Sequence, residues 1–275
     1  MTLRSLSTLT AAATAAAALA VALHFAQTSA QGQEAPAAKA KGKGKQRITG
    51  PAPRLADGSP DLSGVWGSDR PFVVDIGGAL PKGETLPMND WAKGVMKTRQ
   101  SADDPEAICL PTGVPRLAPY PMKFLQQPKL FVILFEGNIH SYRQIFLDRT
   151  EHLKDPNPSW YGDSIGHWEG DSLVVDTVGF NDRTWFDFAG HPHTEQLHTV
   201  ERFRRMDLGM IEYNVTIDDP GAYTKPFNLI GHFPLQRPGT ELMEFICNEN
   251  NKDVKHLTGF EPPTLDDGRG GANVP

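Results

Sequence analysis

Short runs of alternating hydrophobic and polar residues recur along the chain from residue 51 onward. Alternation with a period of two places successive side chains on opposite faces of a β-strand. The clearest case is Met210–Ile217, where apolar residues occupy positions 211, 213, 215 and 217 and polar residues fill the positions between them. The pattern predicts a half-buried antiparallel strand at this place.

Nine segments of this kind are predicted to be strands, and turn residues separate them. Hairpin turns are predicted at Glu169–Asp171 and Asp207–Gly209, because each contains a glycine between two strand-like runs. The predicted strands are Ser63–Gly67, Leu130–Glu136, His140–Asp148, Ile165–Trp168, Ser172–Val178, Leu197–Met206, Met210–Ile217, Phe227–Phe233 and Leu242–Cys247.

One helix is predicted, over Asn89–Arg99, with Asn89 as its N-cap and with Trp91 and Val95 facing inward. The stretch Ser101–Gln127 is rich in proline and is predicted to be irregular. The sequence has neither a βαβ alternation nor a glycine-rich phosphate-binding loop. We therefore predict one all-β domain over residues 51–275, an antiparallel barrel or sandwich with one short helix and a Pro-rich loop region.

The first thirty residues have the features of a secretory signal peptide. Arg4 supplies a positive charge, Leu9–Leu23 is an uncharged Ala-rich run, and Thr28–Ala30 offers small residues at a cleavage site. The alternative is an uncleaved membrane anchor, but a run of 15 residues is shorter than the ~20 that a membrane span needs. We expect residues 1–30 to be a cleaved signal peptide and the protein to be periplasmic or secreted, without stable membrane insertion after cleavage.

Residues 31–50 form a second segment in which lysines alternate with small and polar residues. No apolar face is present that would offset the entropy lost on ordering, so a disordered basic linker is predicted. The formal net charge of the whole chain is −6, and the body that follows this basic linker is more acidic still. An acidic body repels phosphate backbones, which excludes nucleic acid as a partner.

The chain has two cysteines, Cys109 and Cys247. In an exported protein an even pair favours a disulfide, and two buried free thiols are the alternative. Neither cysteine belongs to a C-x-x-C motif, which argues against thiol redox catalysis and against a cysteine-rich zinc site.

Three segments resemble an uncharacterised family of exported bacterial proteins: Pro60–Trp66 (PDLSGVW), Gly166–Thr177 (GHWEGDSLVVDT) and His193–Phe203 (HTEQLHTVERF). The resemblance extends over about residues 53–252 and implies export, but no particular activity. Gly64–Trp66 is also similar to the G-x-W motif of lipocalin-like (calycin) barrels. That likeness implies that Trp66 closes one end of a barrel whose interior holds a small apolar ligand; the alternative is a tryptophan that fills any β core.

The densest cluster of reactive side chains is His191–Glu201, which contains three histidines and two glutamates. Imidazole and carboxylate groups bind zinc, iron or copper, although the spacing matches no known zinc motif. On a strand, His198 would face the opposite side from His191, His193 and the two glutamates, Glu195 and Glu201. The alternative is a polar strand entry with solvated side chains.

Acid–base catalysis without a metal is a further possibility, with a histidine as the base and a carboxylate that orients it. The alternative for each histidine is a structural role in the core. The predicted catalytic residues are His167, Asp176, His193, His198 and Glu201.

A ligand-binding role is predicted for three tryptophans, which would wall an aromatic cavity, and for two arginines, which would hold a carboxylate. These residues are Trp66, Trp168, Trp185, Arg143 and Arg202. The alternatives are ordinary core packing for the tryptophans and a solvent-facing charged strand for the arginines.

Three functions therefore stay open. The first is a binding protein whose barrel holds a small aromatic or lipidic molecule, without a cofactor. The second is a cofactor-free lyase, isomerase or hydrolase that acts on a small-molecule substrate. The third is a metalloenzyme that uses the cluster at residues 191–201.

Overall fold

The structure is a computed structural model, and it describes residues 47–137 and 141–247. The predicted signal peptide and most of the predicted basic linker lie outside these residues. Among the described residues, no helix has both the length and the hydrophobicity needed to cross a membrane.

Nine strands form one sheet in which each strand lies next to its neighbour in the chain. The strands are β1 (Gly64–Trp66), β2 (Met122–Gln126), β3 (Leu130–Phe135), β4 (Tyr142–Phe146), β5 (Asp163–Glu169), β6 (Ser172–Val178), β7 (His198–Asp207), β8 (Met210–Asp218) and β9 (Phe227–Pro234). All neighbours are antiparallel except β4 and β5, which are parallel. The all-β prediction is confirmed, but the expectation of a wholly antiparallel sheet is wrong at this one pair.

The sheet is nearly closed into a barrel. Trp66 pairs with Leu235 beyond the end of β9, and the Gly67 amide donates to the Pro234 carbonyl at 2.8 Å. The chain that follows β1 fills the rest of the gap beside β9. There Phe72 packs so closely on Gly231 that a Cβ on that glycine would lie 2.4 Å from the Phe72 ring.

The helical content is small. An α-helix, α1, spans Pro71–Val74, a second, α2, spans Asp90–Thr98, and 3-10 turns lie at Ile76–Ala79, Ser101–Asp103 and Pro105–Ile108. The predicted N-cap is confirmed, because the Asn89 side chain accepts from the Ala92 amide at 2.9 Å. The predicted inward orientation of Trp91 is wrong: the residue is 48% exposed, and Ala92 is the buried residue of α2.

Two strand predictions also fail. Met122–Gln126 is β2, although its Pro-rich surroundings indicated irregular structure. Leu242–Cys247 is not a strand. This segment is instead held by the Met243 amide, which donates to the Glu136 carboxylate, and by the disulfide between Cys247 and Cys109. The disulfide itself confirms the prediction made from the two cysteines.

Aromatic side chains fill the barrel. Phe124 packs edge-on against Phe131 and Phe203, and Tyr213 stacks on Phe233 with 4.9 Å between the ring centroids. These rings come from inward positions of the alternating strands and are almost fully buried. Their burial is the main apolar contribution to stability.

Trp66 is fully buried and donates from its indole nitrogen to the Leu62 carbonyl at 3.0 Å. The Arg205 guanidinium lies over the indole ring at 4.9 Å and also donates to the carbonyls of Asp61 and Leu208. Trp66 and Arg205 therefore tie β1 and β7 to the segment that precedes β1 and to the turn between β7 and β8.

Candidate functional site

A charged pair lies inside the barrel. Arg143 of β4 is 3% exposed and Glu201 of β7 is 1% exposed. Two parallel hydrogen bonds join them, one of them 2.9 Å from Arg143 Nη1 to Glu201 Oε1. The hydroxyl of Tyr213, on β8, donates to the same Oε1 at 2.9 Å. A buried ion pair with this geometry is fixed in orientation and carries no net charge.

Two hydroxyl residues complete this arrangement. Arg143 donates to Ser164 Oγ at 3.1 and 3.2 Å and to Thr177 Oγ1 at 2.9 Å. Five consecutive strands, β4 to β8, thus each contribute one inward side chain. We call Arg143, Ser164, Thr177, Glu201 and Tyr213 the internal polar network. It forms because inward positions of neighbouring strands lie side by side in a barrel.

Burial sets the electrostatics of the internal polar network. Burial acts to lower the pKa of the Arg143 guanidinium, but the charge and hydrogen bonds of Glu201 outweigh it and raise the pKa above its ordinary value. Burial, together with the Glu201 charge, raises the pKa of the Tyr213 hydroxyl well above its ordinary value. Arg143 therefore stays charged and Tyr213 stays a hydrogen-bond donor at neutral pH.

A small cavity lies against the internal polar network. Its volume is about 20 Å³, which is room for about one water molecule. Its wall is largely apolar and aromatic, with Arg143 and Glu201 as its charged members besides Arg116. The lining residues are Gly113, Val114, Pro115, Arg116, Leu117, Met122, Phe124, Ile133, Phe135, Arg143, Glu201, Phe203, Tyr213 and Phe233.

The loop at residues 113–117 covers this cavity, and we call it the covering loop. Within the described residues, positions 111–116 make no backbone hydrogen bond, and Leu117 makes one, to the Phe72 carbonyl at 2.9 Å. Among the described residues, Thr112 Oγ1 and Arg116 Nε are buried without a hydrogen-bond partner. The covering loop is held by a side chain instead: Arg116 is 1% exposed and donates to both Asp104 oxygens, at 2.9 and 2.7 Å, and to Glu106 at 2.8 Å.

Among the residues predicted to bind ligand, Arg143 lies in the internal polar network and Trp66 closes the β1–β9 junction. Trp168 is partly buried against the core. Trp185 is buried under the Arg99 guanidinium, 4.7 Å away, and does not line the cavity. Among the residues predicted to be catalytic, Glu201 is the one at the cavity. The three tryptophans therefore do not share one wall.

His167 and Arg202 lie on the outside of the barrel. The side chain of His167 is 62% exposed, and both residues contact Glu169, His167 at 3.0 Å and Arg202 at 2.7 Å. His167 on β5 and Arg202 on β7 occupy positions that point out of the barrel, whereas Glu201 occupies a position that points inward. The structure therefore does not bring either side chain to the cavity.

His198 and Asp176 also face outward. His198 Nε2 contacts Asp176 at 3.0 Å, and His152 Nε2 contacts the same carboxylate oxygen at 2.8 Å. The other ring nitrogen of His152 contacts Asp163 at 3.0 Å, and Arg149 donates to Asp163 at 2.7 Å. We call these five residues the external chain. His152 was missed by sequence reasoning, since it lies in a loop with no strand register to place it.

His193 is buried and has both ring nitrogens engaged. Nδ1 faces the Thr194 carbonyl at 3.2 Å, so it is the protonated nitrogen, and Nε2 accepts from the Thr184 hydroxyl at 2.5 Å. Burial lowers the pKa of His193 to about 4. Its ring also stacks on Phe186 at 5.0 Å. This environment makes His193 a neutral part of the packing.

The candidate metal cluster at residues 191–201 is thus dispersed. His193 is packed in the core, His198 is outside the barrel, Glu201 is inside it, and Glu195 is exposed. The opposite facing of His198 and Glu201 agrees with the parity of β7. His191 is buried in the loop before β7, where Nδ1 contacts Asp187 at 2.6 Å.

Sequence reasoning missed Ser164, Thr177 and Tyr213 as members of the site. Alternation places Tyr213 on the inward face of its strand, but it does not tell which inward residues meet across the barrel. The register of β4 to β8 supplies that information. The comparisons with protein-family models, with curated proteins and with solved structures found no match to this chain.

Proposed function

We propose that this chain is a binding protein that holds a small aromatic molecule with one hydrogen-bond donor inside its barrel. The observation that carries the proposal is the meeting of an aromatic wall with the Glu201 carboxylate beneath a loop that has few backbone hydrogen bonds. Ligand sites are typically apolar hollows with a few placed polar groups, and this place has that composition. We further propose that the protein acts in the periplasm or outside the cell, where its disulfide is stable.

The ligand enters by displacing the covering loop. As it stands, the cavity has room for about one water molecule, far less than a phenyl ring needs. Outward movement of Val114 and Pro115 would enlarge the space that they line together with Phe203 and Tyr213. This step costs little backbone hydrogen bonding, because positions 111–116 make none within the described residues.

Glu201 determines which polar group the ligand can carry. An ionised carboxylate offers about four acceptor sites, and three of them are taken by Arg143 and Tyr213. The remaining site accepts from a hydroxyl or amino group. A carboxylate ligand is disfavoured, because the Arg143 charge is already neutralised and a second buried anion would lack a partner.

The histidines support binding more than acid–base catalysis. No described histidine lines the cavity. His167 and His198 face outward, and His193 has no free ring nitrogen. A proton-transfer mechanism in the barrel would have to rely on Glu201, whose oxygens are already engaged by Arg143 and Tyr213.

Isothermal titration with phenol, toluene and benzoate tests the proposal, because the three molecules have similar size. We expect phenol to bind about tenfold or more tightly than toluene, because a hydrogen bond to a charged group is worth about 1.5–3 kcal/mol. Benzoate is expected to bind most weakly. A long acyl probe such as cis-parinaric acid serves as a further comparison, and tighter binding of that probe than of phenol would support a lipid carrier instead.

Two matched substitutions locate the binding. Ile133→Phe fills the cavity and is expected to abolish phenol binding, whereas Ile230→Phe on the exposed face of β9 is expected to leave it unchanged. Val114→Phe fills the same space from the covering loop and replaces Ile133→Phe if that variant does not fold. Equal binding of phenol by all four proteins, wild type included, would contradict a site in the barrel.

A further inference from the structure

Asp75, Asp187 and His191 form a group of candidate metal ligands that lies outside the barrel. One oxygen or nitrogen atom from each residue lies within 4.8 Å of the corresponding atoms of the other two. Asp75 follows α1, and the other two residues belong to the loop before β7. Backbone bonds hold the two segments together: the Phe188 and Ala189 amides donate to carbonyls of α1 at 3.0 and 3.1 Å.

The geometry of this group is fixed by several hydrogen bonds. Asp187 accepts from the Ile76 amide at 2.7 Å and from the His191 amide at 3.2 Å. Its Oδ2 also contacts His191 Nδ1 at 2.6 Å. Asp75 accepts from the Gly77 amide at 2.8 Å through one oxygen, Oδ1. Backbone amides thus orient the two carboxylates, and Asp187 in turn orients the His191 imidazole, as in a preorganised site.

Two carboxylates meet at this place, and one of them is buried. Asp187 is 0% exposed, and within the described residues its one ion-pair partner is His191, which is cationic only when protonated. The Arg99 guanidinium interacts electrostatically with Asp187, but its hydrogen bond goes to the Gly190 carbonyl and its face lies over Trp185. Buried carboxylates are ordinarily paired or bound to a metal, and a metal ion here would bring positive charge into direct contact with both carboxylates.

We propose that Asp75, Asp187 and His191 bind one divalent transition-metal ion. One imidazole and two carboxylates suit Zn²⁺ or Mn²⁺ better than Ca²⁺, which favours six or more oxygen ligands. Three protein ligands leave coordination positions for water, and Asp75 is exposed, so the ion would face solvent on one side. The competing explanation is a proton on His191 that pairs with Asp187 without any metal.

Titration calorimetry of the untagged, chelator-treated chain with Zn²⁺ distinguishes the two explanations. We expect one Zn²⁺ per chain at this site, with Mn²⁺ competing and Ca²⁺ failing to compete. Asp75→Asn is expected to weaken Zn²⁺ binding at least tenfold, because the amide keeps the cap on Gly77 but removes the charge. Asp57→Asn is the matched control, since Asp57 likewise caps the amide two residues on, that of Ser59, at an exposed position.

His191→Ala is expected to abolish the binding event, and His198→Ala is expected to leave it intact. His198→Ala tests whether Zn²⁺ binds instead at His152, Asp176 and His198, where two imidazoles also meet outside the barrel. The proposal is overturned by three results: no Zn²⁺ uptake, an affinity unchanged in Asp75→Asn, or a loss found in His198→Ala instead. Circular dichroism of each variant confirms that a loss of binding is not a loss of fold.

Discussion

The internal polar network and the external chain each join an arginine to carboxylates, and they lie on opposite sides of one wall. Inside, Arg143 and Glu201 are at most 3% exposed and have hydroxyl partners. Outside, Asp176 and His198 have side chains that are 35% and 39% exposed. The two sets meet in the sequence at Asp176 and Thr177, which are consecutive residues on opposite faces of β6. On the strands, side-chain parity decides which of the two sets a residue joins.

This comparison has an energetic consequence. A surface ion pair contributes about 0–1 kcal/mol, whereas removal of one partner from a buried pair costs about 3–5 kcal/mol. Similar substitutions on the two faces of the wall should therefore differ severalfold in their effect on the free energy of unfolding.

The largest effect is expected for Arg143→Met. It leaves the Glu201 carboxylate buried without a cation and should lower the free energy of unfolding by about 3–5 kcal/mol. Arg202→Met is the control, because it removes an exposed partner of Glu169 and should cost less than about 1 kcal/mol. Urea denaturation at neutral pH measures both. Equal losses for the two variants would show that the inner pair is not energetically distinct.

The next largest effect is expected in the pH dependence of the free energy of unfolding, through His193. His193 has a pKa of about 4 in the folded state against 6.5 for an ordinary histidine. Between these values the unfolded chain binds a proton that the folded chain does not, so the free energy of unfolding falls as the pH decreases from 6.5 to 4. The loss attributable to this group is about 3 kcal/mol. His193→Gln should flatten this limb of the stability curve, and His198→Gln should not. If the free energy of unfolding had the same slope against pH in both variants, the attribution of this slope to His193 would be wrong.

Tyr213→Phe is expected to have a smaller effect. It removes a buried donor to Glu201 and should lower the free energy of unfolding by about 1–3 kcal/mol. Tyr142→Phe is the matched control, since that tyrosine is 58% exposed on the outer face of β4. The same denaturation experiment distinguishes the two, and an unchanged midpoint for Tyr213→Phe would mean that water takes over the lost bond.

The smallest effect is expected for Asp176→Asn. The change weakens contacts of Asp176 with two partly exposed histidines, and it should cost less than about 1 kcal/mol. The same substitution should also leave phenol binding unchanged, because Asp176 lies outside the barrel. A loss above about 2 kcal/mol would show that the external chain contributes substantially to the stability of the barrel wall.

Period-two alternation was sufficient to predict most of the strands, and the turn glycines predicted both hairpins. It was also sufficient to separate His198 from Glu201 on β7. Alternation did not predict the strand at Met122–Gln126. The prolines that precede β2 indicated irregular structure, and the strand depends on its pairing with β3. Alternation also suggested a strand at Leu242–Cys247, where the disulfide to Cys109 holds an irregular segment instead.

The candidate site was harder to predict than the fold, for a physical reason. Parity tells that Arg143, Glu201 and Tyr213 each face inward, but the distance between them depends on how neighbouring strands are shifted along one another. Asp75 and Asp187 are 112 positions apart in the sequence, and they meet because hydrogen bonds join the loop before β7 to α1 and to the Ile76 amide. Such contacts leave no local pattern that could have indicated them.

The most direct test of the binding proposal is a two-dimensional ¹H–¹⁵N NMR titration of the protein with phenol. We predict that the shifts concentrate on the amides of the covering loop, on the Arg143 side-chain Nε–H and on β7 and β8 near Glu201 and Tyr213. Residues of the external chain should stay unchanged. Shifts confined to the outer face of the barrel, or an absence of saturable shifts, would contradict a ligand site in the interior.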